Sequence, residues 1–167
     1  WLPIVVDVDA FTCEQPPFQR EVPVVLHAPT NPRLKGTAVV EEVMERLEAA
    51  GRIEYRQLAG VPNARMPEAL AAADVVVDQV VLGNPATLLC ETMAAGRLAI
   101  AHIADDVRTA MRAADPAGED APVVEADADT LAAVMEQILG DPAAAAARAA
   151  RGPAWVRRNH DGARSAH

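Results

Sequence analysis

Aromatic residues are scarce in this sequence and make up only 3% of its 167 residues. Single-stranded nucleic acids are commonly bound by stacking their bases on aromatic side chains, so this composition argues against a base-stacking surface. The formal net charge of -9 at pH 7 also disfavours polyanion binding by the molecule as a whole. We therefore expect no nucleic-acid partner, and any phosphate site has to be local.

Cysteines, long apolar runs and nucleotide fingerprints are also scarce or missing. The two cysteines, Cys13 and Cys90, have neither disulfide nor zinc spacing, which favours a reducing cytoplasm. The sequence has no signal peptide and no apolar run long enough to cross a bilayer, so we expect no transmembrane segment. A GxGxxG fingerprint is missing, which argues against an NAD enzyme. Because the chain starts at Trp1 without a methionine, we expect it to be a fragment of a longer polypeptide.

Hydrophobic residues, by contrast, make up 51% of the chain, enough for a sizeable aliphatic core. Short apolar runs predict strands over residues 23–27, 75–77, 98–103 and 123–125, and alternation of apolar and polar residues predicts another over 53–58. Between and after them, helices are predicted over 37–50, 64–73, 86–95, 105–114, 129–139, from 142 and over 155–160, with a loop over 28–36. This alternation predicts an α/β fold, a single-domain, Rossmann-like, doubly wound parallel sheet.

The most informative stretch is the strand, loop, helix and strand over residues 71–103. Ligands of open α/β sheets bind outside the carboxyl ends of the strands, where helix amino termini offer N–H groups to anions. The loop over residues 78–86 is therefore the predicted floor of a site for a phosphate-bearing ligand. Asp78 and Gln79 either contact that ligand or satisfy loop amides. Glu91 places a charge in a helix of otherwise small and apolar residues, and a charge at such a position requires an explanation.

Three sequence motifs together resemble one enzyme family. They are VVLHAPTNPRLKGT from Val24, ADVVVDQVVLGNPATLLCETMAAG from Ala73 and WVRRNHD from Trp155. The chain resembles the carboxyl-terminal, donor-binding half of GT-B glycosyltransferases, particularly the retaining group 1 family. This resemblance implies a nucleotide-sugar-binding domain over residues 23–152. It also implies an interdomain entry segment over 1–22 and a return helix over 153–167, leading toward an amino-terminal domain that the chain lacks.

The resemblance also implies roles for two charged side chains. The lysine of the family's KG motif contacts the donor diphosphate, and it corresponds to Lys35. A fixed ammonium would stabilise the charge of the leaving diphosphate in the transition state. The family's partner arginine lies earlier in the same loop, and Arg33 is the candidate here. Glu91 corresponds to the glutamate that accepts hydrogen bonds from the ribose hydroxyls, and we class it with Lys35 as catalytic.

Further donor contacts are implied around the start of the predicted helix. The family's second glutamate, which contacts the sugar, corresponds to Gly83. Backbone amides at the helix start are expected to cradle the phosphates, namely those of Ala86, Thr87 and Leu88. Val61 either lines the nucleobase or is ordinary packing. We expect His27 and His102, each at the end of a predicted strand, to be structural rather than catalytic bases.

The sequence thus predicts the donor-binding half of a cytoplasmic glycosyltransferase, which transfers a sugar from a nucleotide-diphosphate sugar to an acceptor. No cofactor or obligatory metal is expected, because Lys35 and the helix amides take the place of a cation. The acceptor is expected to bind through the absent domain, so the isolated half should bind donor without turnover. Two alternatives stay open: a sugar-nucleotide epimerase related to GT-B enzymes, and a noncatalytic Rossmann-like interaction domain.

Overall fold

One parallel β-sheet organises the molecule. The computed structural model describes residues 4–162, in which five strands pair in the order β2-β1-β3-β4-β5. All four pairings are parallel. The strands are β1 (Val24–His27), β2 (Glu54–Gln57), β3 (Val75–Gln79), β4 (Leu98–Ala101) and β5 (Val124–Glu125). This arrangement confirms the predicted Rossmann-like fold class.

Helices connect the strands and cover both faces of the sheet. They are α1 (Val8–Phe11), α2 (Pro32–Lys35), α3 (Thr37–Ala49), α4 (Met66–Ala71), α5 (Thr87–Ala94), α6 (Asp105–Ala114), α7 (Leu131–Gly140), α8 (Pro142–Ala149) and α9 (Gly152–His160). A 3₁₀ turn, Asn63–Arg65, precedes α4. In the part of the chain that the structure describes, no helix is both long enough and apolar enough to span a membrane.

The three central strands, β1, β3 and β4, are buried along their whole length because each of them contributes to two cores. Side chains alternate between the faces of a strand, and a parallel sheet is covered on both. On one face, Val25, Val77 and Ile100 pack with α3, α7 and α8. On the other face, Val76 packs with α4, while Ala99 packs with α5 and α9. The core is therefore mostly aliphatic, as the composition predicts.

Helix α2 corrects the prediction of an uninterrupted loop over residues 28–36. The Asn31 side chain accepts a hydrogen bond from Leu34 N at 3.3 Å, and Pro32 occupies the first turn. Both are ordinary features of a helix start. Gly36 then ends the helix in the left-handed conformation at φ 72°. The helical turn matters because it carries Lys35 to the carboxyl end of β3.

Helix α9 packs directly on α5 and confirms the helix predicted over residues 155–160. A Cβ atom at Gly152 would lie 2.4 Å from Met93 O, so glycine permits this close approach. Trp155, which is 3% exposed, is a large aromatic side chain in the otherwise aliphatic core. The amino-terminal segment is hydrogen-bonded to this helix, since Val6 N donates to His160 O at 2.8 Å. The predicted domain boundaries stay predictions, and residues 163–167 of the predicted return helix lie outside the described residues.

Candidate functional site

A pocket of about 520 Å³ opens at the carboxyl edge of the sheet. The loops after β1 and β2 form one wall, and the start of α5 forms the other. The lining residues are Ala28, Pro29, Thr30, Leu58, Gly60, Val61, Asn63, Met66, Thr87, Leu88 and Glu91. The pocket therefore lies where ligands of open parallel sheets bind.

The amino terminus of α5 forms part of this wall without a side-chain cap. Ala86 stands at the cap position in an extended conformation, and its methyl side chain makes no capping hydrogen bond to the first turn. Helix starts carry N–H groups without intrahelical partners and the positive end of the helix dipole. Thr87 and Leu88 bring this helix start to the pocket. The geometry is thus suited to an anion.

Glu91 lies one helical turn behind Thr87 on the same wall. The side chain is half-buried, and within residues 4–162 its carboxylate has no hydrogen-bond partner. Burial raises the pKa of Glu91 above the ordinary glutamate value, and the nearby Asp78 raises it further. Glu91 therefore contributes to the pocket wall a carboxylate that has no hydrogen-bond partner among the described residues.

Lys35 lies in a buried ion pair behind this site. Its Nζ is 2.5 Å from Asp78 Oδ1, and the two side chains are only 8% and 1% exposed. The backbone is fixed as well, since Val80 N donates to Lys35 O at 3.1 Å. The other oxygen, Asp78 Oδ2, is buried and has no hydrogen-bond partner in the described range 4–162. The lysine charge is therefore balanced by the protein itself.

Comparison with known proteins supports the fold assignment. No protein-family model and no curated protein sequence matches the chain. Among solved structures, WaaG, a glycosyltransferase involved in lipopolysaccharide biosynthesis, is 15% identical with a TM-score of 0.63, covering 95% of this chain and 52% of WaaG. Anabaena HepE in complex with UDP-glucose is 13% identical with a TM-score of 0.59, covering 94% and 52%. The C-terminal domain of LpcC, a group 1 family glycosyl transferase from Francisella tularensis, is 15% identical with a TM-score of 0.54, covering 91% and 96%.

The chain has the fold of a glycosyltransferase carboxyl-terminal domain. It spans about half the length of WaaG and HepE and nearly the whole LpcC domain. The fold that the sequence motifs implied is thereby confirmed.

Within this glycosyltransferase-type fold, the predicted site residues separate into two groups. Val61, Thr87, Leu88 and Glu91 meet on the pocket wall. The others lie outside that wall in the described structure: Arg33 exposed on α2, Lys35 buried against Asp78, Gly83 buried in the loop before α5, and Ala86 at its cap. The predicted diphosphate contact of Lys35 and the second positive charge at Arg33 stay predictions.

The two open interpretations of Asp78 and Gln79 are resolved differently. Gln79 satisfies loop amides, since its Oε1 accepts hydrogen bonds from Val81 N at 3.1 Å and Leu82 N at 2.8 Å. Asp78 contacts Lys35 instead. Asp78, an acidic residue at the end of a buried strand, was the sequence signal for this pair. Its partner Lys35 was not identified in this way, because it follows a different strand.

His27 is structural, as predicted. Its Nδ1 lies 2.7 Å from Val77 O and its Nε2 lies 2.9 Å from Thr37 Oγ1, so both ring nitrogens have partners. Burial lowers the pKa of His27, which keeps the ring neutral at pH 7.

Thr30 and Asn63 on the pocket wall were not identified from the sequence, because polar residues in Pro- and Gly-containing loops look like ordinary turn formers.

Residues 4–162 contain no group of three or more His, Cys, Asp or Glu side chains placed to hold a metal ion. The expected independence from metals and cofactors is untested by this observation and stays a prediction. Cys90, one residue before Glu91, is buried, and burial raises the pKa of its thiol to about 12. This cysteine is accordingly an inert core residue at neutral pH.

Proposed function

We propose that this chain is the donor-binding half of a cytoplasmic glycosyltransferase that transfers a sugar from a nucleotide-diphosphate sugar to an acceptor. The observation that carries the proposal is Glu91, a carboxylate one turn behind the uncapped start of α5 in one pocket. The two features suit a ligand that offers a vicinal diol beside a diphosphate. The fold of HepE, solved with UDP-glucose, supports the same class of donor.

Each part of the donor has a matching part of the pocket in this proposal. The nucleobase packs against Leu58 and Val61. The ribose hydroxyls donate to the two carboxylate oxygens of Glu91. The diphosphate accepts hydrogen bonds from the backbone amides at Ala86, Thr87 and Leu88, where the helix dipole favours negative charge.

Positive charge for the leaving diphosphate is assigned to helix α2. Lys35 would exchange Asp78 for a phosphate oxygen, while its backbone stays fixed by the hydrogen bond from Val80 N. Arg33, exposed on the same helix, supplies a second positive charge. Together with the amides of α5, these groups would stabilise the diphosphate as the bond to the sugar breaks. A metal or organic cofactor is not required in this scheme.

The acceptor is assigned to a second domain. WaaG and HepE are about twice as long as the part that this chain covers, which is consistent with one half of a two-domain enzyme. A noncatalytic interaction domain is the second candidate, and the neutralisation of Lys35 by Asp78 favours it. The two candidates differ in whether the pocket binds a nucleotide.

Calorimetric titration of the 167-residue chain with UDP, GDP, ADP and dTDP tests the proposal. We expect saturable binding of one nucleotide, weakened at least tenfold by Glu91→Ala, because hydrogen bonds to a charged group are lost. Glu45→Ala, which removes an exposed carboxylate from α3, is the matched control and should leave the affinity unchanged. Failure of all four nucleotides to bind would support the noncatalytic candidate.

A further inference from the structure

A second polar cluster lies at the carboxyl ends of β4 and β5. Glu125 accepts hydrogen bonds from His102 Nδ1 at 2.7 Å, Ile103 N at 3.1 Å and Arg108 Nη2 at 2.6 Å. Three donors fix this carboxylate, and it fixes the imidazole ring in turn. Because an ionised carboxylate only accepts, Nδ1 carries the ring proton and Nε2 of the neutral ring is an acceptor.

The Nε2 edge of this ring is left uncovered. Across residues 4–162, His102 Nε2 has no hydrogen-bond partner, and the side chain is 32% exposed. A Cβ atom at Gly83 would lie 3.7 Å from His102 Cδ2, the ring carbon bonded to Nε2. Because residue 83 is glycine, this residue places no side chain over that edge. The loop itself is fixed there, since Ala104 N donates to Gly83 O at 2.9 Å.

The strand order places this cluster beyond the diphosphate position. Leu58 and Val61 follow β2, α5 begins after β3, and His102 follows β4, in a sheet ordered β2-β1-β3-β4-β5. The donor is a linear chain of base, ribose, diphosphate and sugar. With its base at the end of β2 and its diphosphate after β3, its sugar reaches the end of β4. The span from β2 to β4 is three strand spacings, about 14 Å.

We infer that His102 binds a hydroxyl group of the donor sugar through Nε2. The inference rests on the proposed function and adds the group that recognises the sugar. The sugar O–H donates to Nε2, and no proton is transferred. Glu125 is a positioning residue, because it acts only by holding the ring and its tautomer.

Paired calorimetric titrations test this contact. The nucleoside diphosphate found to bind is compared with its sugar conjugate, UDP-glucose, GDP-mannose, ADP-glucose or dTDP-glucose, on the 167-residue chain and its variants. His102→Ala should weaken binding of the conjugate about fivefold, the size of one neutral hydrogen bond, and leave the nucleoside diphosphate unaffected. Glu125→Gln should weaken the conjugate alone by a smaller factor. His102→Gln, which retains an acceptor, should recover part of the loss.

The nucleoside diphosphate serves as the internal control, because a folding defect weakens both ligands alike. Equal losses for both ligands, or an unchanged affinity for the conjugate, would overturn the role of His102 while the proposed function stands. If none of the nucleoside diphosphates binds, the proposed function and this inference both fail.

A second measurement avoids the variants altogether. Nitrogen NMR of the unaltered chain should show a shift of the His102 Nε2 resonance on adding the sugar conjugate, and a much smaller one on adding the nucleoside diphosphate. Equal shifts with the two ligands would place His102 away from the sugar and overturn the inference.

Discussion

Two buried aspartates, four residues apart, stand at opposite ends of β3 and have different surroundings. Asp74, just before the strand, accepts hydrogen bonds from Phe18 N at 2.6 Å and Val24 N at 2.7 Å, one on each oxygen. Asp78, within the strand, pairs one oxygen with Lys35 and leaves the other without a partner in residues 4–162. Both carboxylate oxygens of Asp74 are thus hydrogen-bonded at the amino end of the strand, whereas Asp78 at the carboxyl end has one oxygen without a partner in the described residues.

This difference indicates that the polar groups around Asp74 stabilise the fold, whereas those around Asp78 are available to a ligand. Buried polar groups are nearly always paired, and those that are not need an explanation. Asp74 ties the predicted entry segment to the sheet through Phe18 N, and it holds the start of β1 through Val24 N. Around the carboxyl edge, Asp78 Oδ2 and the Glu91 carboxylate, which have no hydrogen-bond partners in the described part of the chain, lie near the uncapped start of α5. We interpret this edge as the functional one.

The largest expected effect comes from breaking the pair at the carboxyl edge. Lys35→Met leaves the Asp78 carboxylate buried without any cation, and breaking a buried pair in this way costs about 3–5 kcal/mol. Urea unfolding at pH 7 measures the loss. The double variant Lys35→Met/Asp78→Leu, which removes both charges, should lose less than the single one. A loss below about 1 kcal/mol in the single variant would mean that Lys35 is not held in this pair.

A somewhat smaller effect is expected at the amino edge. Asp74→Ala leaves Val24 N and Phe18 N without their acceptor, and we expect a loss of about 2–3 kcal/mol in urea unfolding. Nucleotide affinity should not change, since Asp74 lies at the opposite end of the strand. Asp74→Asn, which keeps one carbonyl oxygen, should lose less. A change in affinity without a change in stability would reverse the assignment of the two edges.

Substitution of Gly36 tests whether the close packing of α2 against the end of β3 positions Lys35 beside Asp78. A Cβ atom at Gly36 would lie 2.6 Å from Val80 Cγ2 and 2.8 Å from Val81 Cγ2, in addition to the strain of φ 72°. We expect Gly36→Ala to cost about 2 kcal/mol. Gly60, at φ 65° with nothing within 4 Å of its added Cβ, is the matched control, and Gly60→Ala should cost about 1 kcal/mol. Equal losses would show that α2 tolerates displacement from β3.

The fold was predictable because its signals are local. The continuous β-branched run 75–77 indicates a buried strand by its composition, and the amphipathic run 37–50 indicates a helix by its residue period. Glu91 was singled out for a similar reason, since a charge in an apolar helix is conspicuous within a few residues, and its contact with the ribose stays a prediction. Helix α2 was missed although Asn31 and Pro32 are local signals, because a four-residue helix between proline and glycine resembles a turn.

The polar pairs of the carboxyl edge were not predictable in the same way. Lys35 and Asp78 are 43 residues apart, and His102 and Glu125 are 23 apart. Each pair depends on which strands are neighbours, and the alternation of strands and helices does not specify the order β2-β1-β3-β4-β5. The burial of Lys35 was not predicted, because it depends on this strand order. In addition, a lysine before a glycine is typical of a surface residue.

Glu91→Gln gives the smallest expected change in stability and the clearest distinction between the two edges. Burial first and Asp78 second raise the pKa of Glu91 in the folded protein above its unfolded value. Such a group favours folding while protonated, and the contribution is lost as pH rises through the folded pKa. At pH 7 the ionised carboxylate is therefore unfavourable, and Glu91→Gln should raise Tm by no more than about 3 °C, because the side chain is half exposed. The gain should vanish below about pH 4, where glutamate is protonated in both states.

Nucleotide affinity should fall in the same variant, since one acceptor oxygen is replaced by a donor. A lower Tm at pH 7 would instead mean that Glu91 stabilises the fold as Asp74 does, and the carboxyl edge would no longer differ from the amino edge.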